Sequence, residues 1–446
     1  MGIEFLLRTF DEFAGEEAIV FHERAYSYAW LRESFQGVEE ELARAGVNRG
    51  TVASLEADFS PRSIAGLLAL MARGAIVVPL GPRTEASRES LRALAQVERR
   101  VVVGPDDRLE IAGTGRSAEH ALYARLRGLG HGGLVLFTSG YTGEPKAALH
   151  DCCRLLVKYQ HRRHRLRTLL LLLFDHIGGI DTLLQALGNG SAVVIPFDRT
   201  PEIVCETVAR HRVQVLPAAP SFLTMLLLSE AHRRHDLSSL RFITYGAEVM
   251  PEATLRKVAE AFPRVTLLQK YGLTELGTLR SHSRSNDSLW VKVGGEGFQT
   301  RVVDGILQIK AESSMVGYLN APAPFTPDGW FVTGDAVEVD GEYLRILGRV
   351  SDLINVGGRK VYPAEVESVL HEVENIAEAV VFGEPHPFTG NIVVARVALQ
   401  RAEDPGAVER RVRDHCRRRL EPHQVPVKVL VSGEPLHSER QKMARR

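Results

Sequence analysis

Leu134-Val135-Leu136-Phe137-Thr138-Ser139-Gly140-Tyr141-Thr142-Gly143-Glu144-Pro145-Lys146 joins an apolar run to a loop of small and hydroxylated residues that ends at a lysine. The run 134–137 reads as a buried strand. Glycines let backbone N–H groups converge, hydroxyls add donors, and Lys146 adds charge, so the loop has the chemistry of a phosphate cradle. No Gly-Lys-Ser/Thr follows at the spacing of a Walker loop. A plain surface turn would use the same residue types.

Outward from this loop, strand and helix signals alternate. Strand-like runs fall at 52–55, 75–80, 100–104, 168–174, 192–196, 213–217 and 242–245, and helix-like ones at 63–72, 201–211 and 220–231. Such alternation predicts sheets covered by helices. Between 289 and 346 the texture changes to short strands with glycine turns, and Asp340-Gly341 is the expected hairpin turn. After Gly348 a new α/β pattern begins. The expected fold class is α/β. A large N-terminal domain of helix-covered β-sheets spans residues 1–348, and a small α+β domain spans 349–446.

Composition narrows the function. Of 446 residues, 44% are hydrophobic and 25% charged, which is ordinary globular composition. Lys plus Arg equals Asp plus Glu at 55 each, so there is no basic excess and no nucleic-acid partner is expected. Four cysteines make no disulfide framework, and Cys152 and Cys153 are adjacent, which fits a reducing cytoplasm. Glu4 and Arg8 interrupt the first apolar stretch, so no signal-peptide core is expected. The longest purely apolar run, 169–174, is far short of the roughly 20 residues of a membrane span.

Four more segments follow the loop in order. They are Gly246-Ala247-Glu248, Tyr271-Gly272-Leu273-Thr274-Glu275, Trp330-Phe331-Val332-Thr333-Gly334-Asp335, and the run from Gly348-Arg349 through Val356-Gly357-Gly358 to Pro363-Ala364-Glu365-Val366-Glu367. With Thr-Ser-Gly-x-Thr-Gly-x-Pro-Lys, this series resembles the adenylate-forming superfamily, and within it the acyl-CoA and aryl-CoA ligases. The first motif departs from the pattern at Tyr141 and is followed by Ala147 where Gly is usual. The resemblance implies that Thr138, Ser139, Gly140, Thr142, Gly143 and Lys146 cradle phosphates of ATP. It implies that Gly246, Ala247 and Glu248 flank adenine, beside Tyr271. Thr274 would contact the α-phosphate, Glu275 would hold Mg²⁺, and Asp335 would bind the ribose hydroxyls with Arg349 nearby.

By the same resemblance the C-terminal domain is a mobile lid. Gly357 and Gly358 would let the arm of CoA pass close to the backbone. The catalytic lysine would be Lys442, with Arg445 after it and Gln441 in place of the usual Gly. Ser351-Asp352 would occupy the hinge. Elementary chemistry agrees with these residue types: a carboxylate attacking a phosphate must overcome repulsion between anions, which calls for Mg²⁺, lysines and backbone donors. Glu275 supplies an oxygen for a hard cation. The implied reaction is ATP-dependent activation of a small carboxylic acid as an acyl adenylate, then transfer to a thiol, with CoA preferred. Loading of a carrier protein and a non-catalytic adenylate sensor are the alternatives.

Phe174-Asp175-His176-Ile177-Gly178-Gly179 resembles the segment carrying a gating histidine in the ligases, so His176 is the expected functional residue. Asp175 holding a substrate amine is the rival reading. The acid pocket is expected to be lined by residues 176–179, 218–222, 246–247 and Leu273, mostly small and apolar positions that suit a hydrophobic acid without naming it. The basic run Arg162-Arg163-His164-Arg165 is expected to be a solvated face, with contact to a phosphate of CoA as the alternative.

Overall fold

The computed structural model describes residues 2–83, 85–138, 144–295, 297–434 and 436. Two seven-stranded sheets form the body. One runs through strands Thr266–Gln269, Phe242–Tyr245, Val215–Ala218, Thr168–Leu169 and Val193–Ile195 in parallel. The other centres on Val52–Glu56, Ile76–Leu80 and Gly133–Thr138, also parallel. Every residue of Val52–Glu56 and Ile76–Leu80 is buried, as strands covered by helices on both faces must be. The largest apolar core joins inward residues of both sheets to the helices Tyr28–Arg44, Pro61–Ala72 and Ile177–Gly188. Helix Pro61–Ala72 starts at a reciprocal cap: Ser60 Oγ accepts from Ser63 N–H, Ser63 Oγ accepts from Ser60 N–H, and Pro61 takes the first position.

A six-stranded antiparallel sheet follows, with the hairpin at Asp340–Tyr343 as expected from the sequence. The chain then passes a single 3₁₀ turn, Val350–Asp352. Beyond it a five-stranded sheet carries helices Pro363–Leu370 and Pro405–Arg419. Its apolar core draws only on residues from Ile354 onward, so this unit packs on itself. The protein is thus α/β, with a large N-terminal body and a small C-terminal unit. No described helix is long and apolar enough to cross a membrane.

One strand departs from its prediction. The leucine run at 168–174 forms strand only at Thr168–Leu169, and 170–174 is loop with Leu172 and Leu173 half-buried. Leu170, Leu171 and Phe174 satisfy the hydrophobic effect without a ladder. The cause is the turn at His176: residues 172–173 must pass under the start of helix Ile177–Gly188. A Cβ at Gly179 would stand 2.1 Å from the Leu173 carbonyl oxygen, so only glycine permits that passage.

The small unit docks on helix Glu252–Ala261 of the body. Glu252 N–H donates to Ser368 Oγ at 3.1 Å, and Lys257 Nζ donates to the His371 carbonyl at 3.1 Å. The His371 imidazole is buried there. Burial, aided by the Lys257 ammonium, lowers its pKa from the usual 6.5 to about 4. The unfolded imidazole therefore takes a proton that the folded one refuses between those values, and stability falls as pH drops through that window. The loss should reach about 3 kcal/mol at pH 4. Thermal melts of wild type and His371→Gln from pH 7 to 4 check this: the variant should lose less stability than wild type across the window.

Candidate active site

Parallel sheets bind ligands beyond the carboxyl ends of their strands. Here the ends of Gly133–Thr138, Val215–Ala218, Phe242–Tyr245 and Thr266–Gln269 open onto one cavity of about 1120 Å³. Two of these ends touch closely. Lys270 N–H donates to the Tyr245 carbonyl at 2.7 Å, and a Cβ at Gly246 would lie 2.4 Å from the Lys270 oxygen. Gly246 is required by that approach, and Ala247 follows at φ 71°, a left-handed conformation that re-aims the chain.

Thr138, Lys146, His176, Gly246, Ala247, Thr274, Glu275 and Arg349 all line this cavity. Lys146 Nζ stands 5.4 Å from the centre of the Tyr318 ring, and Tyr318 Oη donates to Glu275 Oε1. The loop carrying Thr274 and Glu275 is held from behind. Buried His150 donates through Nε2 to the Thr274 carbonyl at 2.6 Å, and Met315 N–H donates to the Glu275 carbonyl at 2.7 Å. Burial lowers the His150 pKa, so it serves as a neutral donor. His176 caps its helix, its Nδ1 accepting from Gly178 N–H at 3.1 Å, while lining the cavity.

An adjoining recess of about 300 Å³ gathers Glu248, Tyr271 and Asp335 with His371 and Glu367 of the small unit. Asp335 is 6% exposed. Its Oδ2 accepts from Tyr271 Oη at 2.5 Å and its Oδ1 pairs with Arg349 Nε at 2.7 Å. Arg349 also donates to the Thr333 carbonyl at 2.7 Å. Burial raises the Asp335 pKa, opposed by Arg349 and Tyr271.

Some expected residues lie elsewhere. Gly357 and Gly358 form the tip of the hairpin between Ile354–Val356 and Arg359–Val361, at φ 58° and 84°, and do not line the cavity. Lys442, Ser139, Gly140, Thr142 and Gly143 lie outside the described residues. Asp175 is 8% exposed and paired with Arg83, and the cavity lining does not include it, so it is not placed to hold a substrate amine.

The expected pocket lining needs correction. His176, Ile177, Gly178, Ala218, Gly246, Ala247 and Leu273 do line the cavity, whereas Gly179 and residues 219–222 do not. The lining also includes Lys270, Arg163, His164, Asp181 and Gln185, so it is more polar than the mostly small and apolar surface expected. Arg163 and His164, read as part of a solvated run, border this space. The spacing of Asp181 and Gln185, four apart after His176, was a legible sign of one helix face turned to the site. Tyr318 and His150 carried no sequence signal, because their partners lie 43 and 124 residues away.

Comparison with known proteins agrees with this geometry. The AMP-binding enzyme pattern matches residues 133–305, and its C-terminal domain pattern matches 365–439. The 3-[(3aS,4S,7aS)-7a-methyl-1,5-dioxo-octahydro-1H-inden-4-yl]propanoyl:CoA ligase of Mycobacterium tuberculosis is 30% identical over 435 residues, covering 85% of this chain and 86% of that protein. The chain belongs to the AMP-binding enzyme family. It is an AMP-forming acid–thiol ligase. The indoleacetate–CoA ligase of Aromatoleum aromaticum is 31% identical, over 86% of this chain and 85% of its own length. The anthranilate CoA ligase AuaEII, solved with anthranoyl-AMP, shares the fold at a TM-score of 0.83 and 22% identity, covering 99% of this chain and 95% of its own.

The Asp335 cluster yields a prediction. A hydrogen bond to a buried charge contributes on the order of 1.5–3 kcal/mol. Asp335→Ala should therefore weaken ATP binding by roughly 10- to 100-fold, and Tyr271→Phe, which keeps the carboxylate, by less. Calorimetric titration with ATP measures both.

Proposed function

We propose that this ligase converts a small carboxylic acid to its CoA thioester through an acyl adenylate. The observation that supports this most is the meeting of Lys146, the Tyr318–Glu275 pair, Thr274, His176 and Arg349 around one cavity that adjoins buried Asp335. Lys146 and Thr138, with the loop between them, take the phosphates of ATP. Asp335 takes the ribose hydroxyls, oriented by Tyr271 and Arg349. Ala247 and Glu248 border the adenine. Glu275, an oxygen donor on the cavity wall, fits a hard cation and would hold Mg²⁺, whose charge would offset that of the phosphate oxygens.

In the first step a carboxylate oxygen attacks the α-phosphorus and pyrophosphate leaves. Thr274 donates to the α-phosphate, and Lys442 bridges carboxylate and phosphate to offset their repulsion. In the second step the thiol attacks the acyl carbon and AMP leaves. His176, at the start of its helix on the cavity wall, stands between acid and thiol. Gly357 and Gly358 pass along the CoA arm after the domain 349–446 turns on the domain 1–348 about Ser351-Asp352. Thiols at all four cysteines accord with a cytoplasmic setting.

Pyrophosphate release with a panel of acids tests the first step, and mass spectrometry with CoA or a carrier protein tests the acceptor. Lys442→Ala should lower adenylation by at least 10²–10³, the effect of one well-placed donor, and leave thioester formation from supplied adenylate nearly unchanged. Equal loss in both steps would count against the bridging role. Proline at a pivot fixes φ and restricts the preceding residue. Ser351→Pro should make adenylate at the wild-type rate and stall before thiol transfer; a folded variant that forms thioester normally removes the hinge from 351.

A further inference from the structure

The far part of the acid cavity holds a cation that the adenylation chemistry does not use. Lys270 follows the strand Thr266–Gln269, and side chains alternate along it. Leu268, Lys270 and Gly272 face the cavity. The intervening Tyr271 turns to Asp335. Lys270 also borders the recess of Tyr271 and Asp335, but its charged neighbours are Asp181, Arg163 and Lys158.

Asp181 does not neutralise Lys270. It accepts from Lys158 Nζ and, at 2.8 Å, from Tyr159 Oη. Lys158 is fixed further by donating to the Thr278 carbonyl at 2.8 Å. Among the described residues, no hydrogen bond or ion pair reaches the ammonium of Lys270 or the guanidinium of Arg163. Three cations thus stand with one carboxylate, and the Lys158–Asp181 pair leaves two positive charges beside the cavity. Burial lowers the Lys270 pKa, and Arg163 and Lys158 add to that effect while Asp181 opposes it. A half-buried ammonium without a partner costs free energy, and nothing in the described fold recovers it. Thr182 and Gln185, on the helix that carries Asp181, add polar groups to the same wall.

We infer that the acid substrate carries a second anionic group, such as a carboxylate, which pairs with Lys270 in the cavity while the first carboxylate is adenylated. The inference rests on the ligase reading and names its substrate class. Arg163 lies at the more exposed side and adds to the attraction.

The test compares matched acids in wild-type enzyme by pyrophosphate release: terephthalate with 4-methylbenzoate, and octanedioate with octanoate. The diacid should have at least tenfold the kcat/KM of its monoacid partner. Lys270→Met should abolish that preference through KM, with activity on the monoacid kept or raised, and Lys270→Arg should restore part of it. Circular dichroism confirms folding, and the wild-type ratio decides the matter even where a variant misfolds. Monoacids activated as well as diacids, or a preference unchanged in Lys270→Met, would overturn the second-anion site and leave the ligase reading intact. No pyrophosphate with any acid would overturn both.

Discussion

The carboxylate of Asp335 is buried on the antiparallel sheet, yet its two partners belong to other parts of the chain. Tyr271 comes from the loop after the parallel strand Thr266–Gln269, and Arg349 ends the last strand before the 3₁₀ turn. One ionised group therefore fixes the antiparallel sheet, the Thr274–Glu275 loop and the exit of the chain toward the small unit. A buried carboxylate left unpaired would be costly, so the pairing ties these three parts to one another. The strand Phe331–Asp340 positions Asp335 by its pairing with Arg349 across the ladder, and Gly334 supplies the left-handed φ of 75° just before it. The end of the cavity that adjoins Asp335 inherits its geometry from this knot.

Most of the fold was legible because its signals are local. Parallel strands buried on both faces read as short apolar runs, and helices such as Pro201–His211 begin at Pro and close at a residue in left-handed conformation. The leucine run after Thr168 misled for a physical reason. Apolarity reports burial and does not report a ladder, and the steric demand at Gly179 is invisible until the helix and the loop are brought together. The same limit applies to the site. Thr274, Glu275 and Asp335 announce themselves by motif, whereas Tyr318 and His150 matter only through partners distant in sequence.

Lys270 shows the other kind of limit. It sits between a strand and a Tyr-Gly-x-Thr-Glu motif, so sequence alone offers it as filler. Alternation along the strand decides otherwise, since Tyr271 must face Asp335 and its neighbour must then face the opposite way. The site thus has two electrostatic ends. At one end, Lys146 and Arg349 stand with Glu275 and Asp335. At the other end Lys270 and Arg163 outnumber what Asp181 can offset after pairing with Lys158. Charge of one sign at a set distance from the reacting carbon gives orientation, because only one end of a ligand can occupy each pole at a time.

The proposed use of one cavity for two chemical steps asks for a small unit that moves cheaply, and the packing is compatible with that. The apolar core beyond Ile354 closes on itself, so displacing the unit exposes little of it. Among the described residues its polar contacts with helix Glu252–Ala261 are the two hydrogen bonds from Glu252 and Lys257 and the Arg256–Glu372 pair at 3.5 Å, with Arg256 exposed and Glu372 half-buried. Such contacts are individually weak and are readily exchanged for water. The chain between the two units narrows to Val350–Asp352, directly after Arg349, whose guanidinium is tied to Asp335 and the Thr333 carbonyl. The chain beyond the anchored Arg349 reaches the small unit through that one turn, so the Asp335 cluster stays with the body.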